Sequence, residues 1–131
     1  MKSTATVVTL SIAFLLCAAA DVSAQGSARG RLDAARDPIM ETNAKHSLDV
    51  ARWYLTKRKA YEGARDRLQE IVDTYPEFSR MDEVFYLLGE AYYKLDENEK
   101  ASAQYEKLLK DFPGSEFAKK SRERLKELKP Q

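Results

Sequence analysis

The chain has 131 residues, with 22 Lys and Arg against 21 Asp and Glu. That is length for one small domain, and the near-balanced charge excludes the basic bulk that advertises a nucleic-acid partner. One cysteine, Cys17, and one histidine, His46, exclude an internal disulfide framework and a metal site built from clustered Cys and His.

The first residues fall into three parts: basic Lys2, an apolar run from Val7 to Ala20 closed by Asp21, and the small triplet Val22-Ser23-Ala24. That order is a secretory signal peptide over residues 1–24, cut after Ala24. The apolar run is shorter than the ~20 residues that span a bilayer, so cleavage is expected over anchoring. Cys17 would leave with the signal, and disulfides, thiol catalysis and cysteine-ligated metals leave with it. Bacterial lipoprotein signals place the lipidated cysteine directly after a small residue; Leu16 stands there instead, so a lipid anchor at Cys17 is not expected. Residues 25–41 are rich in Ala, Arg, Gly, Ser and Asp, with only Leu32, Ile39 and Met40 of any apolar size, and read as a solvated, flexible tether. Pro38 disfavours extending a short helix over Gly30 to Arg36.

Residues 42–131 carry apolar residues at helical spacing, with no period-two alternation, which predicts an all-α domain. Leu48, Ala51, Tyr54 and Leu55 form a first stripe, and after a polar break at Lys57 to Lys59, Ala64, Leu68, Ile71, Val72 and Tyr75 form a second. The pattern recurs in Phe85, Leu88, Ala91 and Tyr92, then in Ala101, Tyr105, Leu108, Leu109 and Phe112. Ala51 maps to Leu88, Ala64 to Ala101, Leu68 to Tyr105, Tyr75 to Phe112 and Pro76 to Pro113, each pair 37 residues apart. Such a period signals helical hairpins that bury a face only by stacking on a neighbour. Two repeats are expected, at about 45–78 and 82–115, with a half-polar capping helix at about 116–129. Gly89 and Ala101 are small where antiparallel helices should cross closely. Pro76 and Pro113 should end the second helix of each hairpin, and Ser79 and Ser115 are placed to cap the helix that follows.

Phe85, Leu88, Gly89, Tyr92, Ala101, Tyr105, Leu108 and Pro113 resemble the tetratricopeptide consensus; the first repeat fits with Leu48, Ala51, Ala64, Leu68, Ile71 and Pro76, but carries Arg52 where a small residue is usual. The stretch Ala51 to Tyr61, with Arg67, Tyr75-Pro76, Leu88 to Tyr92 and Phe112 to Ser115, is similar to the C-terminal half of the BamD family, which belongs to the machine that assembles outer-membrane β-barrels. The resemblance implies a short α-solenoid in the periplasm or at the periplasmic face of the outer membrane, acting as a scaffold and not as an enzyme. A second resemblance, through Tyr-Pro, Leu-Gly-Glu-Ala-Tyr-Tyr and Phe-Pro-Gly-Ser, is to the repeat domain of the Tol-Pal cell-division coordinator, and implies a periplasmic adaptor.

His46 is placed at the start of the first helix and reads as solvated; no phosphate-cradling glycine loop is present, so neither catalysis nor a cofactor or metal is expected. Tetratricopeptide repeats line their groove with the non-stacking face of each first helix, here Asp49, Trp53, Thr56 and Lys57, and 37 residues on, Tyr86, Glu90, Tyr93 and Lys94. Trp and Tyr on such a face are favoured protein-interface anchors. Trp53 and Tyr54 are adjacent, however, so one of them can equally pack on a neighbour. The partners implied are extended segments of other envelope proteins, with Lys57, Arg58 and Lys59 suited to anionic headgroups. Two hairpins and a cap are also few for a stable array, so partner binding or self-association should add stability.

Overall fold

The computed structural model describes residues 37–128, so the expected signal peptide, Cys17 and most of the expected tether lie outside the described residues. Within that span are five α-helices and one π-helical turn, and no strand: α1 (Pro38–Trp53) running into the π turn (Tyr54–Arg58), then α2 (Tyr61–Thr74), α3 (Met81–Lys94), α4 (Asn98–Asp111) and α5 (Ala118–Leu128). The fold is all-α, a short solenoid of two hairpins and a closing helix, as the spacing predicts.

The first helix begins earlier than expected. Asp37 accepts a hydrogen bond from the Ile39 amide at 2.8 Å, and Pro38 takes the first helical position. There its missing N–H costs nothing and its fixed φ suits the helix. Pro38 to Glu41, read above as tether, are therefore the first turn of α1, and His46 lies mid-helix, exposed, not at the helix start. Glu41 accepts from the backbone N–H of Ser79, at 3.2 Å, and from its hydroxyl. Ser79 thus ties the loop before α3 to α1 and does not cap α3, whose first residue follows Arg80 with no side-chain cap. Ser115 accepts a backbone bond too, but from the Phe117 amide just ahead of the closing helix, at 3.1 Å, while its Oγ donates to Asp82 at 2.6 Å; it shapes the turn before that helix and does not cap its first turn. The closing helix starts at Ala118, two residues later than the spacing suggests.

Both hairpins close in the same way. Lys59 (φ 52°) and Asp96 (φ 60°) adopt the left-handed conformation, and the next amides, of Ala60 and Glu97, donate back to the carbonyls of Tyr54 and Tyr92, each at 3.0 Å. These are left-handed C-terminal caps of the kind glycine usually supplies. After α2 and α4, Pro76 and Pro113 follow directly on the last helical turn.

Backbone packing runs between sequence neighbours: α1 on α2, α2 on α3, α3 on α4, α4 on α5. Ala44, Leu48 and Ala51 of α1 face Leu68 and Ile71 of α2, and α3 buries residues on both sides, among them Met81, Val84, Phe85 and Leu88. Each fully buried Leu or Ile contributes roughly 1.5–3 kcal/mol. The closest approach is between α3 and α4, where a Cβ on Gly89 would stand 2.5 Å from Cε1 of the fully buried Tyr105. In the first hairpin the 37-residue equivalents are Arg52 and Leu68. The smaller partner side chain there goes with a larger residue in glycine's place.

Candidate protein-binding surface

The eight candidate residues separate into an open group on α1 and the π turn, and a group on α3 of which only Lys94 is exposed. In the open group, Trp53 is 47% exposed. Its ring centre lies 5.5 Å from that of Tyr54, with the Arg58 guanidinium 5.3 Å away over the indole. Asp49 is exposed and accepts from Arg52 Nη1 at 3.0 Å, and the Thr56 hydroxyl donates to the Arg52 carbonyl at 2.8 Å. Lys57, Arg58 and Lys59 are all exposed beside it. Of the adjacent pair, then, Tyr54 is the half-buried member and Trp53 the one that faces solvent.

The α3 group is arranged around Glu90. The Tyr105 hydroxyl donates to Glu90 Oε1 at 2.7 Å, and Arg124 of α5 donates from Nε to Oε1 at 2.8 Å and from Nη2 to Oε2 at 2.9 Å. The same guanidinium lies 4.9 Å from the Tyr93 ring centre and reaches Glu127 at 2.9 Å. Tyr86 stacks on Phe117 of α5, with centres 5.2 Å apart and planes at 24°, and stands 6.2 Å from Tyr105. Lys94 is exposed, 5.7 Å over Tyr93. Burial first, and the hydrogen bond to Glu90 second, push the Tyr105 phenol far above its ordinary range; burial and the charge of Glu90 raise Tyr86 as well. Hydrogen bonding to Glu90 raises Arg124, so it is a permanent cation.

Sequence reasoning put Tyr86 and Tyr93 off the packed stripes; Tyr86 in fact packs against the core, and α5 covers part of both. It also missed Glu83, which is almost fully buried, although Asp82 and Glu83 look like ordinary first-turn acids. Arg52 reaches it with Nε at 2.7 Å and with Nη2, and Arg80 joins at 2.6 Å. The unusual Arg52 was the one available signal. Its role is to join α1 to α3 through a shared carboxylate, where paired cations offset the desolvation cost. Among the described residues no helix is long and apolar enough to cross a membrane.

A short stack of helical hairpins with an exposed aromatic and basic end defines an all-α protein of the helical-repeat class. Residues 27–106 match the YfiO family, described as outer membrane lipoproteins, and the chain belongs to that family. No curated protein and no solved structure matches it. The match ends within α4, so α5 and its contacts lie beyond it. A family of lipoproteins gives no support to the expectation that Cys17 goes without a lipid.

Proposed function

We propose that the protein is a non-enzymatic scaffold of the bacterial cell envelope, a BamD-like module that holds segments of other proteins during outer-membrane β-barrel assembly. One observation carries the reading: Trp53, the largest aromatic side chain of the described residues, leaves about half of its surface in solvent. The monomer gains nothing from the exposed part of the indole, whereas a buried Trp is among the strongest interface anchors. Membership of the outer membrane lipoprotein family supports an envelope location, and it falls to the first of the two resemblances rather than to the Tol-Pal coordinator. Asp49, Thr56 and Lys57 extend the surface around Trp53, Lys94 extends it on α3, and Lys57, Arg58 and Lys59 would meet acidic groups of a client or of nearby lipid headgroups.

The test is site-specific photocrosslinking in intact cells, with the crosslinker at Trp53, at Lys94 and, as a control, at the exposed Lys110 of α4. Crosslinks from Trp53 and Lys94 to subunits or clients of the barrel-assembly machine, with none from Lys110, are expected. Equal yields from all three positions, or adducts to unrelated proteins only, would refute the reading.

A further inference from the structure

The cluster around Glu90 has the form of a binding site with its ligand already in it. Tyr105 is sealed between α3 and α4, and its bond to Glu90 Oε1 holds that carboxylate from within the α3–α4 pair, whatever α5 adds at the same oxygen. Tyr86 and Tyr93 stand four residues before and three after Glu90, so they flank its carboxylate on one face of α3. What enters between them is a planar cation making two near-parallel bonds to one carboxylate while lying on an aromatic ring. That geometry suits a guanidinium and cannot be reproduced by the point charge of an ammonium.

The helix that supplies the guanidinium is weakly seated. Ala118 and Ser121 are the buried residues of α5, against three each on α1, α2 and α4 and seven on α3. The Ser121 hydroxyl is sealed from solvent with no hydrogen-bond partner, an unfavourable state that detachment would relieve. A recess of about 160 Å³ remains open where α5 meets α3, lined by Tyr86, Lys120, Glu123, Arg124 and Glu127. Polar contacts therefore share the docking of α5 with the apolar packing of Phe117 and Ala118, and both kinds can be exchanged for equivalent ones from another chain.

We propose that Glu90, Tyr86 and Tyr93 form an arginine-recognition site, and that α5 occupies it in cis as a displaceable plug. The proposal rests on the scaffold reading above and narrows its partner. The incoming segment is an amphipathic helix that reproduces the plug's own pattern: an aromatic, a lysine three residues on and an arginine four further, as in Phe117, Lys120 and Arg124. Binding by such a segment releases α5, which couples partner capture to exposure of the α4 face that α5 covers.

The probe is a labelled synthetic peptide of residues 115–128, added to the full chain. An Arg124→Ala chain, with its plug weakened, should take up the peptide at least tenfold more tightly than wild type. A peptide carrying Lys in place of Arg124 should bind that variant at least tenfold more weakly, and adding Tyr93→Ala or Glu90→Gln to the chain should remove the difference between the two peptides. Independently of any variant, α5 amides of the wild-type chain should exchange with solvent at least a hundredfold faster than those of α3. Exchange of α5 and α3 at one common rate would overturn the proposal. So would a helical Arg124→Ala chain that takes up the peptide no better than wild type. Loss of the Trp53 crosslinks with peptide exchange intact would count against the scaffold reading alone; the reverse pattern would count against the plug alone.

Discussion

Gly89→Ala adds one methyl group, and the structure says where it goes. The new carbon would lie 2.5, 2.8 and 2.9 Å from Cε1, Cζ and Cδ1 of Tyr105. Carbon atoms settle at ~3.5–4.0 Å, so the ring must retreat by about 1 Å. It has nowhere to go, being fully buried and tethered through its hydroxyl to Glu90. Overpacking of this kind costs ~1–3 kcal/mol, and a strained or broken hydrogen bond to a charged acceptor ~1.5–3 kcal/mol more. Alanine returns ~1 kcal/mol of helix propensity. The expected net loss is about 3 kcal/mol, which for a domain of this size lowers the melting temperature by roughly 10–25 °C. Circular dichroism melts and urea titrations measure both quantities. Gly63→Ala is the control, because its methyl would meet the Tyr54 ring at an ordinary 3.6 Å; it should gain ~0.5–1 kcal/mol. Tyr105→Leu, which copies Leu68 of the first hairpin, should recover part of the loss in the Gly89→Ala background. A Gly89→Ala chain melting within about 2 °C of wild type, in a domain where each kcal/mol moves the midpoint by ~4–8 °C, would refute the crowding argument.

Trp53→Ala should change stability by less than ~1 kcal/mol while reducing partner capture severalfold, whereas Leu88→Ala should lose ~2–5 kcal/mol; melting and pull-down on the same preparations compare them. Lys59→Gly should stabilise by ~1 kcal/mol, since the left-handed conformation strains a lysine, and Asp96→Gly by less, because Asp tolerates that region better. The native Tyr105 phenol ionises far above the unfolded-state value of 10.0. The unfolded chain therefore sheds that proton first, and the stabilisation, complete below pH 10, should decline as pH rises beyond it, by at most ~1.4 kcal/mol per unit for this group. Tyr105→Phe should flatten that alkaline slope in urea titrations. The melting temperature should also rise with protein or partner concentration; a constant value well above ~65 °C would argue against so thin a core.

The stripes were legible because burial writes itself at helical spacing: Leu48, Ala64, Leu68, Leu88, Tyr105 and Leu108 all lie in the core. Gly89 was legible too, since a glycine inside a strong helical pattern costs stability and needs a packing reason. The boundaries were harder. Pro38 reads as a helix breaker or a helix starter depending on whether Asp37 caps it, and the Asp37 carboxylate does so through the Ile39 amide. Lys59 and Asp96 hid the hairpin closures, because neither is the glycine that such a turn advertises. The covering of α3 by α5 depends on Arg124 finding Glu90 across 34 residues of sequence, one charge pair among many combinatorial ones. Local periodicity carries no information about which is made.

The neighbour-on-neighbour order of the helices has a kinetic consequence. The main backbone contacts between elements all close short loops, and topologies of low contact order fold in microseconds to milliseconds. A chain that emerges from its N-terminus can form the α1–α2 hairpin before α4 exists. Helix α3 is different, since it has buried residues to satisfy on two sides and needs both neighbours. Its docking onto α2 is where the folding barrier should stand, so truncations such as Val84→Ala should slow refolding, while changes in α5 should act on unfolding alone.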